Sequence, residues 1–278
     1  MAQLQINFFS KCLLRQVTVN AVVPAAKMVF PGMPVREKKP FKTLYLLHGI
    51  FGNYTDWLTG TNIQAWAEDR NLAVIMPSGD NSFYVDHEVR GDMYGEFIGH
   101  ELVEVTRELL PLSTARKDTF IAGLSMGGFG ALRNGLKYCD AFGCIAALSS
   151  ALVLERAVHS TYDDPSPIGR RGYFESVFGD LDALLGSDKD PRGLIERRIA
   201  DRSELPKLYM CCGTEDMLIN ENRSFHQFLL DHDVAHTYVE GPGSHDWQFW
   251  NEYIEKVLDW LLLGDAVKAV SSGNVNPN

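Results

Sequence analysis

Residues Thr119 to Leu132 read TFIAGLSMGGFGAL, an apolar run that breaks at Gly123-Leu124-Ser125-Met126-Gly127 and continues as a small-residue helical pattern. A serine hydroxyl is a weak nucleophile at neutral pH. It becomes useful when a strained strand-to-helix turn lifts it clear of a sheet, with a base beside it and backbone donors around the developing oxyanion. Glycines at 123 and 127 leave room for such a turn, where a Cβ would strike the neighbouring strand or helix. Ser125 is therefore the candidate nucleophile of an acyl transfer.

The base and the acid that orients it are expected further along the chain, in that order acid then base. Asp216 follows the strand-like run KLYMCC in the turn Gly213-Thr214-Glu215-Asp216. Glu215 competes with it, but side chains of neighbouring turn residues diverge, and Asp216 is the preferred acid. His245 lies in Gly241-Pro242-Gly243-Ser244-His245-Asp246-Trp247, between the last strand and the last helix. A loop there can return an imidazole over the serine, with Nε2 taking the proton and Nδ1–H held by Asp216. The other histidines lie in helical or acidic stretches, in the insertion, or at the start of a strand.

A tetrahedral intermediate needs two donors. The Met126 N–H, directly after the nucleophile, is one candidate, and the Ile50 N–H in the loop His48-Gly49-Ile50-Phe51-Gly52 is the other. His48 is expected to brace that loop through a hydrogen bond. Phe51 and Trp247, adjacent to the donor loop and the base, are the candidate walls of a substrate pocket. Other nearby aromatics, Trp57, Phe83, Tyr84, Phe129 and Trp250, read first as core.

These residues must be held by strands that end together. Leu4–Ser10 and Gln16–Val23 alternate as an antiparallel pair, and Pro31–Pro40 reads as a surface loop. Short apolar runs follow at Thr43–Leu47, Leu72–Met76, Thr119–Ala122, Cys144–Leu148, Lys207–Cys212 and His236–Val239. Helical patterns lie at Ile63–Arg70, Glu96–Leu110, Gly128–Lys137, Asn220–His232 and Trp247–Leu263. The expectation is an α/β chain: an eight-stranded, mostly parallel sheet flanked by helices, as one domain over residues 1–278. Residues 151–204, between strands six and seven, exceed what a crossover needs and are expected to cap the site. From about 265 to 278 the sequence reads as a flexible tail.

The chain has 278 residues, of which 45% are hydrophobic and 22% charged, enough for a sizeable core. A formal charge of -10 argues against nucleic acid or an anionic membrane surface as partner. A small ester suits it better. The start, MAQLQINFFSKCLLRQ, carries no basic segment followed by a long apolar one, which points to the cytoplasm. Five cysteines without Cys-x-x-Cys spacing read as reduced packing residues, and neither a metal nor a cofactor is expected.

With those residues placed, the sequence resembles the esterase D branch of the α/β-hydrolases, and within it the bacterial tributyrin esterases. The resembling segments are LYLLHGIFGN with Trp57-Leu58, NSFYVD, TFIAGLSMGGFGAL, YFESVFGDL, CCGTEDMLINEN and GPGSHDWQFW, spread over nearly the whole chain. The resemblance implies the α/β-hydrolase fold, a serine carboxylesterase acting on short acyl esters, and Ser125, Asp216 and His245 as its triad. It also implies a homo-oligomer, dimer or tetramer. Related branches hydrolyse S-formylglutathione or feruloyl and acetyl esters, and these stay open as alternatives. The loop after His48 departs from the long Gly-rich oxyanion loop of hormone-sensitive-lipase-like esterases, which lowers the expectation for tertiary-alcohol esters. A catalytically silent binding protein on the same scaffold is the rival from another class, and a fluorophosphonate probe at Ser125 separates the two.

Overall fold

The computed structural model describes residues 1–25, 39–261 and 263. Most of the expected surface loop Pro31–Pro40, and the expected tail from about 265, lie outside the described residues.

Eight strands form one sheet: β1 (Ala2–Ser10), β2 (Arg15–Val23), β3 (Lys42–Leu47), β4 (Leu72–Pro77), β5 (Thr119–Leu124), β6 (Cys144–Leu148), β7 (Lys207–Gly213) and β8 (His236–Gly241). Their spatial order is β1-β2-β4-β3-β5-β6-β7-β8. β1 pairs antiparallel with β2 and β2 with β4, and every later pairing is parallel. The expected sheet is therefore present, with β6 at its expected bounds and every other strand longer by a residue or two at one end. Because β3, β5, β6, β7 and β8 run the same way, their carboxyl ends share one edge, where sheets of this kind keep their sites.

Helices cover both faces, as near-continuous apolar strands require. Along β3, Leu44 and Leu46 face one core while Tyr45 and Leu47 face the other. The first core includes α2 (Ile63–Asp69) and α9 (Trp247–Trp260), with the short α1 (Asp56–Gly60) beside it. In α9, Trp250, Tyr253, Ile254, Val257 and Leu258 recur at helical spacing and are buried. The second core holds α3 (Leu102–Leu109), α4 (Met126–Lys137), the helices of the insertion and α8 (Ile219–Asp231). The expected helix Glu96–Leu110 is not uniform. Tyr94–Glu96 is one helical turn, Phe97–Glu101 is a π-turn, and α3 begins only at Leu102.

The insertion divides in two. Its first part carries α5 (Leu154–Val158) and α6 (Arg171–Phe178) and faces the cavity described below. Its second part carries α7 (Pro191–Ala200), which lies against α4 as an ordinary covering helix of the sheet. Capping of the site thus belongs to the first part, which is narrower than the expected 151–204. Asp190 caps α7 by accepting the Arg192 N–H at 2.9 Å, with Pro191 in the first turn.

One buried ionic cluster fastens these layers. Arg133, fully buried on α4, meets Asp86 at 3.2 Å and Asp188 of the insertion at 2.7 Å. Lys137 meets the same two carboxylates at 3.1 and 2.9 Å. Burial pushes the Asp86 carboxyl up, but Arg133, the Glu96 N–H and Lys137 outweigh it and hold the group below the usual aspartate value.

Candidate active site

β5 ends at Leu124 and α4 begins at Met126, so Ser125 is the whole turn between them. Its backbone sits at φ 53 and ψ -117, a conformation an L-residue holds only under tertiary constraint. The constraint is visible. The Ser125 N–H donates to the Leu148 carbonyl at 2.9 Å, and its own carbonyl accepts from Ala151 at 2.9 Å. A Cβ on Gly123 would fall 2.3 Å from the Gly127 carbonyl oxygen, and one on Gly127 would fall 2.4 Å from that of Leu47. Glycine at both places is what lets α4 close against β3 and β5.

Asp216 and His245 reach this turn from the ends of β7 and β8. The His245 Nε2 lies 3.0 Å from the Ser125 Oγ, and its Nδ1 lies 3.0 and 2.9 Å from the two Asp216 oxygens. Serine, histidine and aspartate are therefore joined in one hydrogen-bonded line. Asp216 is fully buried in its side chain while His245 keeps a fifth or so of its surface open, 18%. Burial drives the Asp216 carboxyl up, and hydrogen bonds from His245, the Leu218 N–H at 2.8 Å and Ser149 pull it further down, below the usual range. It stays a carboxylate and holds the imidazole. Glu215, the competing acid, turns away and accepts the Gly243 N–H at 2.6 Å.

Around this line stand Ser149, which the sequence did not single out, and Trp250, which it read first as core. Ser149, at φ 46, accepts the Trp250 indole N–H at 3.1 Å and is one of the groups that hold the Asp216 carboxyl down. Trp250 also sets its ring edge-on to His245, with centroids 4.9 Å apart. Two adjacent serines after an apolar strand give no pattern that would mark one of them as support for an acid at the end of the next strand.

The donor loop is braced as expected. Neutral His48 accepts the Gly79 N–H on Nε2 at 2.8 Å and, with its proton on Nδ1, donates to the Gly49 carbonyl at 2.6 Å. Burial lowers its basicity below the ordinary imidazole value, which favours that uncharged form. The Tyr84 hydroxyl donates to the His48 carbonyl at 3.0 Å. Among the described residues, neither the Ile50 nor the Met126 N–H has an acceptor. Phe51, at φ 68, is held by its N–H to Asn81 at 2.8 Å, and its ring is 72% exposed.

A cavity of about 560 Å³ opens over Ser125. Ile50, Phe51, Met126 and His245 line it with Trp247 and Trp250, and the insertion contributes Val153, Ile168 and Phe174. Trp247 packs edge-on between Trp57 and Trp250, at 5.6 and 5.3 Å. Its size and mostly apolar lining suit a small organic ligand.

The family model described as "Putative esterase" matches residues 14–261. The chain belongs to this esterase family. An acetyl esterase of Caldicellulosiruptor saccharolyticus is 44% identical over 261 residues, covering 94% of this chain and 98% of that protein. The S-formylglutathione hydrolase FrmB of Staphylococcus aureus superposes with a TM-score of 0.79 at 30% identity, over 94% of this chain and 98% of its own. FphF, a fluorophosphonate-binding serine hydrolase of the same organism, gives 0.81 at 29% identity, over 95% and 99%. The esterase thus has the α/β-hydrolase fold of these relatives, and no helix among its described residues is long and apolar enough to cross a membrane.

Proposed function

We propose that this esterase is a serine carboxylesterase of the tributyrin-esterase kind, hydrolysing short-chain acyl esters through an acyl-enzyme intermediate. The reading rests on one observation, the line Ser125 Oγ to His245 Nε2 to Asp216 at hydrogen-bond distances. In the first half-reaction the Ser125 oxygen bonds to the ester carbonyl carbon while His245 Nε2 takes the hydroxyl proton. The negative charge moves to the carbonyl oxygen, facing the N–H groups of Ile50 and Met126. Met126 opens a 12-residue helix, whose amino end favours negative charge. Collapse of the intermediate breaks the bond to the alcohol, which leaves with the proton from His245. Water then repeats the sequence on the acyl-serine, releasing the acid and restoring Ser125.

Phe51 and Trp247 serve in this reading as apolar walls beside the donor loop and the base. The acyl group is short by the likeness to an acetyl esterase at 44% identity. Replacing Ser125 with alanine removes the nucleophile, and turnover of p-nitrophenyl acetate and butyrate is expected to fall by at least about 10⁴-fold. Hydrolysis by Ser125→Ala at the wild-type rate would refute the assignment.

A second reading, thioester hydrolysis, draws on the likeness to an S-formylglutathione hydrolase at 30% identity. It uses the same three side chains and differs only in the leaving group. The ratio of kcat/KM for S-formylglutathione and for p-nitrophenyl butyrate decides between the two, and a ratio far above one favours the thioester.

A further inference from the structure

We propose that Arg156 is a specificity-determining residue that binds a carboxylate carried by the substrate, away from the reacting carbonyl. The inference rests on the esterase reading above and deepens it by giving the preferred ester or thioester an anionic group.

Arg156 lies on α5, whose Leu154 and Ala157 are buried in the core, so the helix presents the guanidinium outward at the cavity from a fixed base. Among the described residues, no other lysine or arginine lines that cavity. Its Cζ stands 6.0 Å from the centroid of the Phe174 ring, which is buried and lines the same space. The ring gives the planar cation a weak platform and leaves its donors unspent. Among the described residues Arg156 makes neither a hydrogen bond nor an ion pair, in a chain where acids outnumber bases 36 to 26.

The two carboxylates that line the cavity do not answer it. Asp164 is folded into its own turn, accepting the Ser166 N–H at 2.8 Å. Asp56, the first residue of α1, accepts the Asn53 N–H at 3.2 Å. Each acid therefore has a local partner, and the guanidinium has none. Its N–H pairs match the two oxygens of a carboxylate, which is the chemistry that best satisfies a free arginine beside a reactive centre. The net charge of -10 makes this a local attraction, since the molecule as a whole repels anions.

The carboxylate can come with the acyl group or with the leaving group, and two substrate pairs distinguish them. Mono-p-nitrophenyl glutarate against p-nitrophenyl butyrate tests the acyl side. The butyryl ester of 4-hydroxybenzoate against phenyl butyrate tests the leaving-group side. In one pair, Arg156→Gln is expected to lower the charged-to-neutral ratio of kcat/KM by about 10-fold or more, as loss of a hydrogen bond to a charged group does. Arg156→Lys should restore part of it, and added salt should narrow the wild-type ratio. A ratio unchanged within twofold in both pairs would overturn the proposal. Titration of glutarate and 4-butyramidobenzoate into wild type and Arg156→Gln, followed by NMR, reads the same site without turnover. Equal binding of both anions by the two proteins overturns the proposal, whereas wild type inert toward all four esters would sink the esterase reading instead.

Discussion

Two buried aspartates, Asp86 and Asp216, illustrate two uses of the same side chain. Both lie below the usual aspartate value despite burial. Asp86 faces the guanidinium of Arg133 and the ammonium of Lys137. Asp216 faces the Nδ1 of His245, whose Nε2 lies beside the Ser125 hydroxyl. The first pairing is a lock between α4, the segment before the π-turn, and the insertion. The second is a bearing that orients an imidazole and steadies it when protonated. The same carboxylate fastens helices where it meets a guanidinium and an ammonium, and in the proposed reaction it orients a base where it meets an imidazole.

If that contrast is right, removing charge from the two sites should fail in different ways. Asp216→Asn is expected to lower kcat on p-nitrophenyl butyrate by about 10⁴-fold, the size seen when an orienting acid is neutralised elsewhere. Its thermal midpoint should move far less than that of the next variant. Arg133→Met leaves Asp86 and Asp188 without their guanidinium and is expected to cost about 3–5 kcal/mol of stability by denaturant titration. Below its melting range, that variant should retain kcat within a few-fold. A variant at Arg133 that stays stable but loses turnover would erase the distinction.

Ser149→Ala sharpens the comparison on the catalytic side. It removes a hydroxyl that helps hold the Asp216 carboxyl down and accepts the Trp250 indole N–H, and is expected to lower kcat about 10-fold, with KM nearly constant. Acid titration probes both aspartates at once. Each has a folded value below the unfolded one near 3.8, so its contribution is complete above that value and is lost as pH falls through the folded value. Stability should be level above roughly pH 5 and decline in acid. Arg133→Met should show the gentler decline, because it has already given up much of what holds Asp86 charged.

The eight strands could be read in the sequence because their apolar runs are buried on both sides, and the turn at Ser125 because its two glycines interrupt such a run. The places of Asp216 and His245 followed from the shared edge of parallel strands. Arg133 was not legible. In GGFGALRNGLK it reads as a solvent-facing charge, and its complete burial depends on Asp86 and Asp188, both remote in sequence. The π-turn at Phe97–Glu101 escaped because the apolar spacing there fits an ordinary helix. The length of the insertion made its capping role legible, but not which residues line the cavity, because Phe174 and Ile168 sit in short segments among turn residues, with too few turns of helix to show a face.

The indole of Trp250 touches the ligand space, leans on His245 and donates to the serine that supports Asp216. Wall and engine are the same part there. Attempts to widen substrate choice by trimming that side would detune the reaction with it. Among the described residues, Phe51, α5 and α6 make no hydrogen bond to the side chains of Ser125, Asp216 or His245, so diversification of substrate range has its free hand on that opposite bank.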